Sequence, residues 1–179
     1  MLHSTFISEL DHLLQIQNLC FLKRKKVSKK PDSHTQLPPI LITEIDQLPI
    51  EKSVIDNTPL LQMIDEFCNS HNLTFAEFRQ KADLSKQCMN NITNLKNPKQ
   101  PSRNTLLSIL FALELTQYEI NEMMDYYGYR LSQKNTRDNI LICIHDYMIH
   151  HPPYSVKDIN EYLLMRGAQI LSQNSFKYE

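Results

Sequence analysis

The chain has 179 residues, and its 19 lysines and arginines against 20 aspartates and glutamates give a formal net charge of −1. It contains two glycines and no tryptophan, and no long stretch alternates β-branched with polar residues, which disfavours a sheet protein and a glycine-rich phosphate loop. This composition predicts a mostly or wholly helical fold of one medium-sized domain, or one compact domain with an extension.

The net charge conceals two basic stretches. Residues 23–30 carry +6 and residues 79–103 carry +5, so the rest of the chain carries −12. Basic islands on an acidic body are typical of proteins that present selected faces to a polyanion. For the first stretch a flexible arm, an address signal and a merely soluble linker all stay open. Its cations are Lys23, Arg24, Lys25, Lys26, Lys29 and Lys30.

The first predicted element is an amphipathic helix over residues 4–22, whose apolar side chains recur at three- and four-residue spacing. Acidic residues interrupt it and the basic run follows it, so we expect neither a signal peptide nor a membrane span. Residues 23–57 contain four prolines and no helical period, which predicts a linker. Within it, residues 40–42 could form a short extended piece packed on the body.

A compact domain is predicted over residues 58–171, with a tail at residues 172–179. Thr58 is the expected N-cap of its first helix, with Pro59 at the first helical position. Two short helices follow: Thr74 and Glu77 form a capping box for one, and Ser85 caps the next almost at once.

Four further helices complete the predicted domain. Ser102 caps an apolar fourth helix, and a second capping box at Thr116 opens a fifth, which ends at Gly128. The sixth runs from Thr136 through His150 and is apolar nearly all round, so we expect it to be central or covered by a partner. Pro152-Pro153 ends it, and the last helix begins at Ser155 and ends at Gly167.

Cysteine and histidine spacing gives no sign of a metal site. The cysteines share no close pairing, so we expect buried or half-buried reduced thiols in a cytoplasmic protein. His145 and His150 are five residues apart, which does not place them on one helical face, and His150 and His151 fit a helix C-terminus better. We predict no metal, no cofactor and no catalytic residue, and therefore no enzyme. The cysteines are Cys20, Cys68, Cys88 and Cys143.

Two short capped helices joined by a brief turn must cross steeply, so that the second one projects from the domain. The residue order resembles the Cro/repressor-type (Xre-like) helix-turn-helix family across about sixty residues. Asp83 stands at that family's turn glycine and tolerates a left-handed backbone, whereas Arg79 replaces a small residue and predicts a wider angle between the helices. The matching residues are Leu73-Thr74-Phe75-Ala76-Glu77-Phe78, Ala82-Asp83-Leu84-Ser85, Met89, Ile92, Pro101-Ser102, Thr105-Leu106 and Ala112-Leu113-Glu114-Leu115.

A second resemblance covers residues 125–132, 140–148 and 160–171. It is to an extended bacterial version of the module that is sometimes appended to ADP-ribose-binding macro domains, although nothing in this chain resembles a macro domain. Together the resemblances imply an all-α fold with a lambda-repressor-like five-helix helix-turn-helix core and two additional C-terminal helices.

The implied function is sequence-specific binding of double-stranded DNA, as a transcriptional regulator of a bacterium, phage or mobile element. With Met89 and Ile92 facing inward, we predict base contacts from the outward residues of the same helix, although each is equally well an ordinary solvated side chain. The predicted base contacts are Lys86, Gln87, Asn90 and Asn91. The predicted phosphate contacts are Ser85, Lys96, Lys99, Gln100, Ser102 and Arg103.

Repressor-type proteins usually act in pairs, so we expect a homodimer in which residues 1–22 contribute to the contact. The same helix is a possible docking element for a different protein, and no membrane contact is expected. An alternative function is therefore an adaptor or inhibitor that uses a repressor-like helical fold without binding DNA.

Overall fold

The structure is a computed structural model that describes Ser8, Asp11, His12, Gln15 and residues 55–150 and 155–172. Within these ranges the protein is all-helical and contains no strand, as the composition predicts. None of the helices described there is long and apolar enough to cross a membrane. Several predictions fall outside the described residues: the basic run at 23–30, nearly all of the linker, Cys20, His151, Pro152-Pro153 and the tail after Ser172.

Seven helices follow one another along the described chain, and their bounds agree closely with the predicted ones. Each predicted cap at Thr74, Ser85, Ser102, Thr116 and Ser155 accepts a hydrogen bond from the amide three residues ahead. The helices are α1 Thr58–Ser70, α2 Phe75–Lys81, α3 Lys86–Thr93, α4 Arg103–Ala112, α5 Gln117–Tyr126, α6 Thr136–His150 and α7 Val156–Met165.

Both predicted capping boxes are complete. The Thr74 backbone N–H donates to the Glu77 carboxylate at 2.7 Å, and the Thr116 N–H donates to Glu119 at the same distance. Bonds from the Thr74 backbone N–H and hydroxyl lower the pKa of Glu77, and bonds from the Thr116 hydroxyl and backbone N–H lower the pKa of Glu119. These carboxylates therefore stabilise the helix starts in their charged form.

The start of α1 differs from the prediction by one residue. Asn57 is the N-cap, and Thr58 is already the first helical residue. The Thr58 N–H donates to Asp56 Oδ1 at 2.8 Å, while the Asn57 carbonyl accepts from Leu61 N at 3.0 Å. The buried Asn57 side chain makes no capping bond because it is bonded to distant parts of the chain.

The hydrophobic core is built around α4. Seven consecutive residues of this helix, 106–112, are buried, and α4 packs against α5 and α7. The helix α6 packs on α5 and buries Ile140, Leu141, Cys143 and Ile144, as expected for a helix apolar on nearly every side. Truncating such a buried leucine or isoleucine to alanine typically costs about 2–5 kcal/mol.

The described cysteines are free thiols. Cys68 and Cys143 are buried and Cys88 is half-buried, which confirms their predicted burial. Burial raises the pKa of Cys143 to about 11, so this thiol stays protonated at neutral pH.

The N-terminal segment contacts α7. Ser8, Asp11, His12 and Gln15 are all helical, in agreement with the helix predicted over residues 4–22. The Tyr162 hydroxyl donates to Asp11 Oδ1 at 2.8 Å, and the Arg166 guanidinium forms a salt bridge with the same carboxylate. The N-terminal helix thus has a docking point on the last helix.

Candidate nucleic-acid interface

A tight turn joins α2 to α3. Asp83 lies in it with φ +52°, in the left-handed region, as its replacement of a turn glycine predicts. The Asp83 N–H donates to Gln80 O and the Leu84 N–H donates to Arg79 O, both at 3.0 Å, so the end of α2 is closed by backbone bonds. Ser85 then caps α3 through Cys88 N at 3.1 Å.

Arg79 braces this turn. Its side chain is half-buried, and Nη1 donates to the Leu84 carbonyl at 3.0 Å. The guanidinium therefore fastens α2 to the residue that precedes the cap of α3. The wider interhelical angle that Arg79 suggested stays a prediction.

The outward face of α3 carries amides and one lysine. Met89 and Ile92 are buried, as predicted, whereas Lys86, Gln87 and Asn90 are exposed. Asn91 is half-buried, and its Oδ1 accepts a hydrogen bond from Gln87 Nε2 at 3.1 Å. This bond leaves Gln87 Oε1 as an acceptor and the Asn91 NH₂ as a donor toward solvent.

Only part of the predicted phosphate set is free to meet a ligand. Lys96 and Lys99 are exposed, and their side-chain ammonium groups make no hydrogen bond or ion pair within the described chain; the same holds for the ammonium group of Lys86. The Ser85 and Ser102 hydroxyl oxygens accept the capping bonds from Cys88 N and Thr105 N, so each serine has one lone pair already in use.

Gln100 and Arg103 also have partners within the fold, and their predicted phosphate contacts stay a prediction. Gln100 Nε2 donates to Tyr127 O at 2.7 Å. Arg103 Nη2 donates to Asp138 Oδ1 at 2.7 Å and to Arg130 O at 3.0 Å. These two bonds occupy Arg103 Nη2, whereas the other guanidinium N–H groups of Arg103 and the second Nε2 proton of the exposed Gln100 have no described partner.

A second cation of the basic stretch is also neutralised. Lys81 Nζ forms a salt bridge with Glu114 at 2.5 Å and lies 4.4 Å from the centre of the Phe67 ring. With Arg79 and Arg103 also bonded, the cations of residues 79–103 that lack a described partner are Lys86, Lys96 and Lys99. They lie on α3 and on the loop that follows it.

Asn57 and the end of α5 clamp that loop. Asn57 Nδ2 donates to Ile92 O and to Lys99 O, both at 3.1 Å, and Asn57 Oδ1 accepts from the Tyr127 hydroxyl at 3.1 Å. The Tyr129 hydroxyl donates to Pro101 O at 3.0 Å. Burial raises the pKa of Tyr127 to about 12, so its hydroxyl stays a donor. Sequence reasoning missed this clamp, although the Tyr127-Gly128-Tyr129 run was part of the second resemblance.

The described histidines serve the fold. His145 Nε2 bonds Leu115 O at 2.6 Å in the interior, and His150 Nδ1 bonds Asp146 O at 2.8 Å at the predicted helix end. Among the described residues, no three His, Cys, Asp or Glu side chains are grouped to hold a metal ion.

Comparison of the chain with protein-family models, with curated proteins and with solved structures gives no match.

Proposed function

We propose that this protein binds double-stranded DNA in a sequence-specific manner and regulates transcription in a bacterium, phage or mobile element. In this proposal α1–α5 form a lambda-repressor-like core of the Cro/repressor class, α3 is the recognition helix, and α6 and α7 are the two added helices. The observation that carries the proposal is the exposed face of α3, where amides and a lysine point outward and no acid occurs between Lys86 and Glu114.

The side chains on this face suit the major groove. Glutamine and asparagine amides can bond adenine N6 and N7 together, and lysine can reach guanine or a phosphate. The Gln87–Asn91 hydrogen bond supports base reading, because it fixes one amide against the other before DNA arrives and so lowers the entropy lost on binding. We expect Gln87 and Asn90 to make these base contacts.

The loop after α3 supplies the backbone contacts in this proposal. Lys96 and Lys99 extend into solvent from a segment whose carbonyl at residue 99 is held by Asn57. A clamped loop holds the backbone that carries these lysines close to α3, so that phosphate contacts from their side chains set the register of the helix on the duplex.

Fluorescence anisotropy with a random-sequence duplex tests the proposal. Three unpaired lysines that contact phosphates give a slope of roughly −2.7 in log K against log salt, at about −0.9 per contact. Lys157→Ala, which removes an exposed lysine on α7, is the matched control and should leave the slope unchanged. Absence of salt-dependent binding by the wild-type chain would contradict the proposal.

We further propose a homodimer to which residues 1–22 contribute. Asp11 meets Tyr162 and Arg166 on α7 of its own chain, and the 32 residues between positions 22 and 55 are long enough to let two chains exchange these helices. Light scattering on the wild type and on a chain lacking residues 1–22 tests this. A monomeric wild type contradicts the dimer, and a dimeric truncated chain moves the interface elsewhere.

One observation favours the alternative, a protein-interaction adaptor. A groove of about 360 Å³ lies between α1, α2 and the end of α3, with Leu61, Phe75 and Leu95 among its lining residues. Leu95 is 64% exposed and Phe75 is 39% exposed, so two large apolar side chains of this groove face solvent together. Retention on duplex DNA or heparin that falls with salt separates the two functions, because an adaptor releases no counterions from DNA.

A further inference from the structure

The turn between α2 and α3 is bonded to the far end of the described chain. Asp83 is buried, and its Oδ2 accepts from Asn160 Nδ2 at 3.0 Å and from the Ser172 hydroxyl. Asn160 is fully buried on α7, and its Oδ1 accepts from Leu171 N at 2.7 Å. The turn that precedes α3 is therefore held by residues 77 and 89 positions away in sequence.

Residues 168–172, here called the C-terminal strap, are themselves fixed in place. Arg137 Nε donates to Gln169 O at 2.6 Å, and its Nη2 donates to Ile170 O at 3.4 Å and to Asn104 Oδ1 at 3.0 Å. Leu171 is buried against the core. Because successive groups of the strap are anchored, Ser172 presents its hydroxyl to Asp83 from a defined position.

The physical chemistry of Asp83 makes this contact important for α3. Burying a carboxylate that is 8% exposed costs free energy unless hydrogen-bond donors reach it. The bonds from Asn160 and Ser172 to Asp83 therefore stabilise the turn. The helices on either side have only 7 and 8 residues, too few to be stable alone. The direction in which α3 leaves the turn therefore depends on these donors.

We propose that Asn160 and the C-terminal strap are a positioning device that sets the orientation of α3 through Asp83. Its DNA consequence rests on the proposed function, whereas the device itself is a property of the free protein. Asn160 and Ser172 touch no nucleic acid in this account; they act through the turn.

Asn160→Asp is the main test variant, because it preserves size and the acceptor for Leu171 N but removes the Nδ2 donor, which bonds both Asp83 and the Ser172 hydroxyl oxygen at 2.9 Å. A carboxylate then faces the Asp83 carboxylate in place of an amide donor, which replaces a hydrogen bond with repulsion between like charges. Hydrogen–deuterium exchange of the unliganded protein measures the effect. We expect protection factors in residues 82–93 to fall roughly tenfold at pH 7.5, while α5 changes little.

Two further variants keep the test decisive if the first one folds poorly. Ser172→Ala removes a single donor and should lower protection in residues 82–93 in the same selective way, by a smaller factor. Ile159→Val is the matched control, since it trims the buried neighbour of Asn160 and removes no hydrogen bond of the turn. Its effect should spread over the core.

Affinity for duplex DNA then tests whether the orientation of α3 affects DNA binding. We expect Asn160→Asp to bind duplex DNA roughly tenfold more weakly at pH 7.5, which corresponds to about 1.4 kcal/mol. Selective loss of protection with weaker DNA binding supports the proposal in full. If Asn160→Asp loses protection selectively but the wild-type protein binds no DNA, the positioning device is supported and the DNA-binding function is refuted. The positioning role is overturned if the loss of protection in Asn160→Asp spreads over the core as it does in Ile159→Val. It is also overturned if the loss is selective but the affinity for DNA is unchanged.

Discussion

The salt bridge between Arg103 and Asp138 gives the sharpest contrast between a structural and a DNA-binding role. The Asp138 side chain is 4% exposed and the Arg103 side chain 27% exposed. Arg103→Ala leaves Asp138 Oδ1 without its cation, while the Ser132 N–H still donates to Oδ2 at 2.8 Å. Breaking a buried ion pair costs about 3–5 kcal/mol, and the remaining donor and the partial exposure of Arg103 reduce this to about 2–3 kcal/mol.

Thermal unfolding followed by circular dichroism measures this loss. At roughly 2–4 °C per kcal/mol for a chain of this size, Arg103→Ala should lower Tm by about 5–10 °C. Lys99→Ala, which removes an exposed lysine without a described partner, should leave Tm nearly unchanged. Adding Asp138→Asn to Arg103→Ala should recover part of the loss, since the unpaired charge is gone. An unchanged Tm for Arg103→Ala, together with a smaller salt slope, would refute this reasoning and return Arg103 to the phosphate contacts.

Three other predictions concern α3, its loop and the helix caps. Gln87→Ala or Asn90→Ala should weaken specific binding by about 1–3 kcal/mol and leave binding to random duplex unchanged; equal losses would show that neither reads bases. Lys96→Ala and Lys99→Ala should weaken binding to all sequences and each lower the salt slope by about one unit, so an unaltered slope would exclude that lysine. The pKa of Glu77 is lowered in the fold, so its contribution is complete above its ordinary pKa of 4.5 and is lost as pH falls through the folded-state value. Glu77→Gln should therefore flatten the acid limb of a stability profile, and superimposable limbs would contradict the capping role.

Helix starts could be predicted because their signals are local. A cap at Ser85 or Thr116 involves an amide three residues ahead, and the apolar spacing that follows is visible in the same short window. The inward positions Met89 and Ile92 were predictable for the same reason, and with them the outward face of α3.

The partners of buried polar groups could not be predicted, because they are distant in sequence. The side-chain bonds of Asn57 were not predicted, because their partners are 35 to 70 positions away. Arg103 stood in a basic stretch and was assigned to phosphate, although its carboxylate partner lies 35 residues further on. Asp83 was understood as a turn residue, but its bond to Asn160 depends on how α7 packs.

The central claim, that α3 reads duplex DNA, is tested most directly by selection from a random-sequence duplex library. The wild-type chain should enrich one motif that contains A·T pairs at the positions met by Gln87 and Asn90. A variant carrying Gln87→Ala and Asn90→Ala should lose the preference at those positions while still binding duplex DNA through Lys96 and Lys99. Failure of the wild type to enrich any motif, or enrichment of the same motif by the variant, would contradict the claim.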